Sequence, residues 1–448
     1  MAPSPGEVLV ALATPWGRSA LALIRWSGPG CHAVVGALVR PHTPTPLRPG
    51  RVRRVDVLDG DGVVDDGLVW LASGPRTATG EDTAELTVHG NPLVVERVLR
   101  AAVAAGAQLA GPGAFTRRAV EHGRLDLVEA EGVQQLVDAR SAAGLAVARA
   151  ALDGRLGAAL ARLRVPLVEV VAELEARLDA PDDALALRTD EELIGALDAV
   201  AAEAEALVRS APRGRVLVHG ARVALVGAVN AGKSSLFNAL VGRPRALVHA
   251  TPGTTRDVVE APCLLGEVAV TLLDTAGERV TDDPVEAAGL ALAAELVAEA
   301  DLLVVVLRAR PEGPDATERT LLARTAGRPR LVVLNGVDAP HADAPEGALP
   351  TVAPRGEGVP AVAQAIARAL VGEVPGEARL VVASARQAEL LGTLARQARE
   401  GTEALGVAGP AAAADAVVAG LEALDALTGA DTREEVLDAL FARFCIGK

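Results

Sequence analysis

Lysine occurs at only two positions of this 448-residue chain, Lys233 and Lys448, although Lys and Arg together number 44. The ammonium of lysine is a compact point charge on a slim stem, whereas the guanidinium of arginine is a wide planar fork. Nearly all cationic positions of this chain are arginine. Lysine is therefore expected to remain only where a planar guanidinium would not fit. The two lysines are the first places to look for a binding site.

Lys233 belongs to the stretch GAVNAGKSS, which runs from Gly227 to Ser235 between an apolar strand and an apolar helix. The spacing G-x-x-x-x-G-K-S/T in that context is typical of a phosphate-binding loop, whose backbone N–H groups wrap the phosphates of a nucleotide. Lys233 is then expected to reach the β- and γ-phosphates, and Ser234 to coordinate Mg²⁺. The alternative is a Gly-rich turn that matches by chance.

Three further stretches indicate a GTPase. LLDTAG, which ends at Gly277, resembles the DxxG element, with Asp274 near the metal. TPGTTRD, from Thr251 to Asp257, resembles a switch segment in which one threonine meets Mg²⁺. The stretch that starts at Asn335 lies where guanine recognition by N-K-x-D is expected.

The guanine-recognition stretch departs from its pattern. Asp338 is predicted to accept the two donor hydrogens of the guanine edge, with Asn335 bracing the loop, but Gly336 replaces the usual lysine. An arginine could not replace a lysine whose stem lies along the base, so glycine is an acceptable change. The S-A-K element that follows N-K-x-D in GTPases is also poorly matched. The corresponding residues here are A-P-R, which end at Arg355.

Composition and texture predict a multidomain protein. The fold class is expected to be α+β and α/β, with an N-terminal α+β domain, a central helical domain and an inserted Ras-like P-loop GTPase domain. Two separate helical domains, one on each side of the GTPase domain, are the alternative. The predicted segments are 1–120, 121–215 with several helices broken by Pro and Gly, 216–377 with a mostly parallel sheet, and 378–448, which is helical again.

Charge and cysteine content exclude several classes of protein. The net charge of −14 is the wrong sign for a broad nucleic-acid-binding surface. Three distant cysteines, Cys31, Cys263 and Cys445, indicate neither a disulfide framework nor a zinc site. No uncharged apolar run is long enough to span a membrane, so a soluble cytoplasmic protein is expected.

The chain resembles the MnmE (TrmE) family of tRNA-modifying GTPases over essentially its whole length. A lone phosphate loop would not separate GTPase families, but several stretches together are specific. They are ATPWGRSALALIRWSG, TGEDTAELTVHGNP, GPGAFTRRAVEHGRLDLVEAEGV, NAGKSSLFNAL, GTTRD, DTAGER with VEAAGL, and the terminal CIGK.

The resemblance implies a GTPase that needs K⁺ as well as Mg²⁺. Glu286 aligns with a glutamate that orients the attacking water in place of the usual glutamine, and Lys233 contributes to catalysis. A solvated helix residue is the alternative for Glu286. The implied ligands are Asn230, His249, Thr251 and Thr254 for K⁺, Ser234 and Thr255 for Mg²⁺, and Asn230, Ala231, Gly232, Lys233, Ser234, Ser235, His249, Ala250, Thr251, Pro252, Gly253, Thr254, Thr255, Asp274, Thr275, Ala276, Gly277, Asn335 and Asp338 for GTP.

The resemblance also implies a tetrahydrofolate site, for the 5,10-methylene or 5-formyl form, in a dimerising N-terminal domain. Arg25, Glu85, Arg124 and Lys448 align with its contacts, and Cys445 is a candidate acid, base or nucleophile in one-carbon transfer. From the residues alone, Arg25 and Glu85 are more simply ion-pair partners within the fold.

The C-terminal stretch EEVLDALFARFCIGK has apolar residues at helical spacing. We expect Val436, Leu440, Phe441 and Phe444 to dock this helix against a partner and bring Cys445 and Lys448 close together. A frayed tail is the alternative.

The resemblance further implies a homodimer, and a heterotetramer with MnmG, an FAD-containing protein that uses NADH. The pair would add a carboxymethylaminomethyl or aminomethyl group to C5 of the wobble uridine of certain tRNAs, with the tRNA held mainly by the partner and no membrane involved. Two alternatives stay open. One is a ribosome-assembly GTPase switch, and the other is a family member with a decayed guanine site that acts as a scaffold.

Overall fold

The computed structural model describes residues 6–60, 62–179, 188–242, 258–275, 295, 297–372, 380–430 and 434–448. The chain forms two compact units, each made of separate stretches of sequence. Unit 1 contains Met1–Gln134, Gly157–Asp190 and Glu403–Lys448. Unit 2 contains Gln135–Leu156 and Glu191–Thr402.

Unit 1 contains a seven-stranded sheet in the order β3-β4-β5-β6-β2-β1-β7. All neighbouring strands are antiparallel except β1 and β7. Alternation along β2 buries Ala22, Ile24 and Trp26 on one face and leaves Arg25 on the other. The strands are β1 (Leu9–Leu12), β2 (Leu21–Ser27), β3 (Val39–Pro41), β4 (Arg53–Leu58), β5 (Val63–Ala72), β6 (Thr83–His89) and β7 (Gln108–Leu109).

Unit 2 contains a six-stranded sheet in the order β13-β12-β11-β8-β10-β9. Its strands are parallel except β9, which pairs antiparallel with β10, so the predicted mostly parallel sheet is confirmed. Both faces are buried in apolar clusters, as a parallel sheet requires. The strands are β8 (Ala221–Val226), β9 (Val258–Leu265), β10 (Val268–Thr275), β11 (Leu302–Arg308), β12 (Arg330–Asn335) and β13 (Leu349–Thr351).

The segments predicted to be helical are helical, but two prolines inside them do not end a helix as expected. Pro166 and Pro212 lie inside long helices, where each removes one backbone donor without ending the helix. The helices are α1 (Cys31–Leu38), α2 (Pro92–Ala104), α3 (Ala114–Glu121), α4 (Leu127–Asp138), α5 (Ala142–Leu152), α6 (Arg155–Asp179), α7 (Asp190–His219), α8 (Lys233–Val241), α9 (Ala316–Arg324), α10 (Val359–Val371), α11 (Ala385–Val407), α12 (Pro410–Thr428) and α13 (Glu434–Phe441).

Helical residues before the parallel sheet contact residues after it, as expected for an inserted domain. In unit 1, Arg164 Nε donates to Asp425 Oδ1 at 3.1 Å. In unit 2, Arg399 Nη1 donates to Asp198 Oδ1 at 2.6 Å. The limits 1–120, 121–215, 216–377 and 378–448 stay a prediction. Across the described ranges, no helix is both long and apolar enough to cross a membrane.

Candidate functional site

The phosphate loop lies between the central strand β8 and helix α8, at the carboxyl edge of the parallel sheet. Its neighbours β11 and β10 run parallel to β8 on either side. The crevice outside the carboxyl ends of such strands is where ligands of open α/β sheets bind. The residues expected to contact phosphate therefore lie where this fold class binds nucleotides.

The two glycines of the motif are required by close approaches. A Cβ at Gly227 would lie 2.4 Å from the Val306 carbonyl oxygen, and a Cβ at Gly232 would lie 2.0 Å from Asn335 Nδ2. Gly232 also has a φ of +94°, a left-handed conformation that glycine adopts without strain. The backbone can therefore fold tightly before the first turn of α8.

Lys233 lies within the loop that its sequence position predicts. Its side chain is buried, with 7 % relative exposure for the residue. Nζ donates to the carbonyl oxygens of Gly227 at 3.0 Å and Ala228 at 3.1 Å. A buried ammonium needs such partners, and these contacts hold the charge under the loop that would wrap the phosphates.

Two oxygen groups lie at the same edge of the sheet. Ser234 is exposed in the first turn of α8. Asp274 is near the end of β10, paired in register with Leu225, and its Oδ1 is buried with no hydrogen-bond partner among the described residues. A buried carboxylate oxygen without a donor is costly, so this atom fits a cation that ligand binding would bring.

Asn335 connects the base-recognition stretch to the phosphate loop. Its Nδ2 donates to the Ala231 carbonyl oxygen at 3.2 Å. Its Oδ1 accepts from Thr351 Oγ1 at 3.2 Å and from the backbone N–H of Ala353 at 3.0 Å. The predicted bracing role of Asn335 thus has a structural basis. Thr351 was missed in the sequence, where a single threonine on a short strand gives no signal.

Asp338 lies opposite the second base-side loop. Its Oδ2 is 3.3 Å from Arg355 Nη2. Gly336 has a φ of +83°, and its N–H donates to the Thr351 carbonyl oxygen at 2.7 Å. The two weak motif stretches of the sequence are therefore adjacent in space.

In unit 1, Arg25 and Glu85 form a cross-strand pair between β2 and β6. Arg25 Nε donates to Glu85 Oε1 at 2.9 Å, and Nη2 lies 2.8 Å from the same oxygen. The ion-pair interpretation of these residues is thus what the structure contains. Their folate role stays a prediction.

The C-terminal stretch is packed into the same unit. Arg25 Nη1 donates to the Gly447 carbonyl oxygen at 3.1 Å, and the N–H of Phe115 donates to the Lys448 carbonyl oxygen at 3.2 Å. Ile446 forms an antiparallel bridge with Pro112. The tail is ordered by backbone hydrogen bonds, so the frayed-tail alternative is wrong. Gly447 was missed as the residue that brings the tail to Arg25.

Two phenylalanines anchor the tail. Phe441 and Phe444 are buried with Leu127 and Ala130, and their ring centroids are 5.0 Å apart. Docking through Phe441, Phe444 and the partly buried Leu440 is confirmed. Val436 was predicted wrongly, because it is 43 % exposed. The buried stripe of α13 begins one residue later, at Leu437, which packs against this cluster.

The other candidate residues are distributed as follows. Arg124 lies against the Gly80 turn, where a Cβ on Gly80 would be 3.3 Å from its Cγ, and no described contact joins Arg124 to Arg25 or Glu85. Cys445 is exposed. Asn230 is exposed and has a φ of +62°, in the left-handed region.

Several predicted residues lie outside the described part of the structure, or are described in their backbone alone, as Thr275 is. Those outside are His249, Ala250, Thr251, Pro252, Gly253, Thr254, Thr255, Ala276, Gly277 and Glu286. Their roles stay predictions.

A phosphate loop with its lysine, a carboxylate at the end of the neighbouring strand and an Asn-containing base loop, all at one edge of a parallel sheet, define a P-loop GTPase. Comparison with known proteins identifies the family. The profile of the GTP-binding protein TrmE N-terminus matches residues 8–124, and that of the MnmE helical domain matches residues 127–445.

Curated relatives match along the full chain. The tRNA modification GTPase MnmE of Chloroflexus aurantiacus is 39 % identical over 461 aligned positions, covering 99 % of this chain and 100 % of its own. That of Symbiobacterium thermophilum is 40 % identical, with 99 % of each chain covered, and that of a Synechococcus strain is 40 % identical, with 98 % of each covered. The chain belongs to the MnmE family of tRNA modification GTPases.

Proposed function

We propose that this protein hydrolyses GTP in a K⁺- and Mg²⁺-dependent reaction. Together with an FAD-containing MnmG-like partner that uses NADH, it would add a carboxymethylaminomethyl or aminomethyl group to C5 of the wobble uridine of certain tRNAs. A tetrahydrofolate supplies the one-carbon unit in this proposal. Membership of the MnmE family supports the tRNA-modifying part.

The observation that carries the GTP-hydrolysing part is the hydrogen bond from Asn335 Nδ2 to the Ala231 carbonyl oxygen. It connects the stretch that would recognise the base to the loop that would hold the phosphates. With Lys233 under that loop, one nucleotide can contact both elements at once. The geometry therefore supports a guanine nucleotide rather than an isolated phosphate.

The residues at the sheet edge fit Mg²⁺, because the Ser234 hydroxyl is exposed and Asp274 Oδ1 is buried without a partner among the described residues. Both are hard oxygen ligands of the kind that Mg²⁺ prefers. When bound, Mg²⁺ would neutralise charge on the phosphate oxygens. For K⁺, the Asn230 side chain offers one amide oxygen, and the other proposed ligands, His249, Thr251 and Thr254, lie outside the described residues.

The chemical step is phosphoryl transfer to water. The water oxygen forms a bond to the γ-phosphorus as the bond to the β–γ bridging oxygen breaks, and the electron pair of the broken bond leaves on GDP. The proton that the water loses passes to the released phosphate. Lys233 stabilises the charge on the transferred group, and Glu286 orients the water. Both residues act by positioning and electrostatics, the principal contributions of proteins to this reaction.

The folate part of the proposal is supported by the corner formed by Arg25, Glu85 and Gly447. It offers a fixed guanidinium donor, a carboxylate acceptor and a backbone group, with both charged side chains about one-third exposed. A pteridine ring with its glutamate tail has complementary acceptors and donors. Lys448, Arg124 and Cys445 complete the proposed set.

The net charge of −14 supports placing most of the tRNA contact on the partner. We place a homodimer at the centre of a heterotetramer with that partner, in the cytoplasm. GTP hydrolysis would open and close the GTPase domains, and the helical region would transmit that motion to the folate corner.

Initial rates of GTP hydrolysis in KCl and in NaCl at equal ionic strength, with ATP as the nucleotide control, test the proposal. We expect rates specific for GTP and much higher in KCl, lost in Lys233→Met, and lowered about 100-fold in Glu286→Ala. Glu312→Ala, which changes an exposed glutamate of the same unit, should leave the rate unchanged. Equal rates in both salts would contradict the K⁺ requirement.

The two alternatives give different results. Absence of GTP binding would favour the decayed scaffold. GTP turnover combined with unchanged wobble-uridine nucleosides in a deletion strain would favour the ribosome-assembly switch.

A further inference from the structure

The two base-side loops of this protein contain a single cationic residue. Among residues 335–338 and 351–355, Arg355 alone carries a positive charge, because Gly336 takes the place of the lysine in the N-K-x-D pattern. A base-recognition element with one carboxylate and no lysine raises the question of what holds that carboxylate in position.

Arg355 reaches Asp338 from the opposite loop. Its Nη2 lies 3.3 Å from Asp338 Oδ2. The backbone of Arg355 is fixed, since its N–H donates to the Val352 carbonyl oxygen at 2.9 Å and it ends a 3-10 turn, Ala353–Arg355. A short, anchored turn thus places a guanidinium at one oxygen of the carboxylate.

The approach of the two loops does not depend on this ion pair. The N–H of Gly336 donates to the Thr351 carbonyl oxygen at 2.7 Å, and the N–H of Ala353 donates to Asn335 Oδ1 at 3.0 Å. These bonds are made by the backbone and by Asn335. Removal of the Arg355 side chain should therefore free the Asp338 carboxylate without separating the loops.

The Arg355–Asp338 pair is exposed to solvent. Side-chain exposure is 62 % for Arg355 and 38 % for Asp338. Exposed ion pairs contribute little to stability, so this pair adds little to the fold. Both side chains remain accessible to a ligand at the same place.

Position 336 has room for a side chain but not the backbone conformation for one, because its φ of +83° lies in the left-handed region that L side chains adopt only with strain. A Cβ on Gly336 would meet no atom within 4 Å. The backbone conformation, rather than crowding, therefore accounts for glycine instead of lysine at this position. The cation of the two base-side loops lies at position 355.

We propose that Arg355 is the positioning residue of the guanine site: it orients the Asp338 carboxylate toward the N1–H and 2-amino group of guanine and takes over the charge that position 336 lacks. This rests on the guanine nucleotide site proposed above. Arg355 acts through Asp338 and does not touch the reacting phosphate, so its effect should fall on nucleotide affinity and base preference. The turnover number at saturating GTP should not change.

Comparison of GDP with IDP tests the inference, because the base of IDP lacks the 2-amino group from which Asp338 would accept a hydrogen bond. In Arg355→Met we expect GDP affinity to fall about 2- to 5-fold, as for the loss of one exposed ion pair. IDP affinity should fall less, so the GDP-to-IDP preference drops. Competition with fluorescent N-methylanthraniloyl-GDP measures both. Arg319→Met, which removes an exposed charge bonded to the Pro314 carbonyl oxygen, should change neither.

A conservative variant tests whether the charge at position 355 is what matters. Arg355→Lys should retain most of the GDP-to-IDP preference that Arg355→Met loses, because its ammonium keeps a positive charge beside Asp338. Equal loss of GDP and IDP affinity, or an unchanged preference in Arg355→Met, would overturn the inference. Failure of the wild-type protein to bind GDP would instead refute the guanine site itself, so the two failures are distinguishable.

Discussion

Arg25 donates a hydrogen bond to the carbonyl oxygen of Gly447, 422 positions further along the chain. The same guanidinium pairs with Glu85. The last turn of the chain and a strand near its beginning therefore share one charged group. A change in the backbone of the tail should therefore alter the position of the Arg25 guanidinium beside Glu85.

Gly447→Ala should displace the tail and weaken folate binding. Gly447 has a φ of +87°, and a Cβ there would lie 2.5 Å from the Leu12 carbonyl oxygen, so the backbone must shift. Loss of one hydrogen bond from a charged donor corresponds to about a 10- to 100-fold loss of affinity. Isothermal titration with 5-formyltetrahydrofolate measures it.

Gly50→Ala is the matched control in the same unit. Gly50 has nearly the same φ, +82°, but a Cβ there would meet no atom within 4 Å. The left-handed conformation should cost each variant about 1–2 kcal/mol, and Gly50→Ala should bind folate normally. Equal folate affinity in the two variants would count against a folate contact through the tail.

Asp338→Asn should reverse the base preference of the nucleotide site. A carboxylate accepts from both N1–H and the 2-amino group of guanine, whereas an amide also donates and so suits the 2-oxo group of xanthine. We expect GTP affinity to fall at least about 10-fold and XTP affinity to rise. Competition binding with GTP and XTP measures this. Asp343→Asn, at an exposed site nearby, should leave both affinities unchanged.

Alkylation by iodoacetamide at pH 8 should modify Cys445 much faster than the other two cysteines. Burial, with a contribution from Asp82, raises the pKa of Cys31 to about 12, and burial raises the pKa of Cys263 to about 11. Only about one Cys31 thiol in ten thousand is then ionised, and the thiolate is the nucleophile. Peptide mass spectrometry follows each site, and Cys445→Ser should abolish the fast reaction. Rapid labelling of Cys31 in the folded protein would contradict its burial.

His89 should make unit 1 less stable as the pH rises. The side-chain hydrogen bond with Asp65, made through Nδ1 at 2.8 Å, raises the pKa of His89 above its ordinary value of 6.5. Its stabilising charge is fully present below the unfolded-state pKa and is lost as the pH rises through the folded-state pKa. NMR titration should show a lower His89 pKa in Asp65→Asn. Asp66→Asn should lower it less, since Asp66 is the smallest of the causes that raise it. An equal or larger change in Asp66→Asn would refute this assignment.

The strands and the phosphate loop could be predicted from sequence because their signals are local. Apolar runs such as that of β11 and the fixed spacing of Gly227, Gly232 and Lys233 each lie within one short stretch. The amphipathic tail was predicted for the same reason. Its stripe was misplaced by one residue at its start, because both Val436 and Leu437 are apolar and only packing distinguishes them.

The connections between loops could not be predicted. Thr351 braces Asn335 across 16 positions, and Arg355 meets Asp338 only because two separate loops approach one another. Thr351 does not stand out in its own stretch, and the A-P-R that ends at Arg355 gave no sign of a contact with Asp338. At Pro166 and Pro212 the local signal was misleading. A proline inside a helical pattern predicts a break, but each of these two lies inside one continuous helix.

The composition of unit 1 from three separate stretches has a consequence for its synthesis. Leu127 and Ala130 are buried in one apolar cluster with Phe441 and Phe444. The ribosome makes the two phenylalanines only after all of unit 2. Translation proceeds at about 5–20 residues per second. Leu127 and Ala130 are therefore made tens of seconds before the two phenylalanines that bury them. Folding of unit 1 is therefore completed only after the whole of unit 2 has been synthesised.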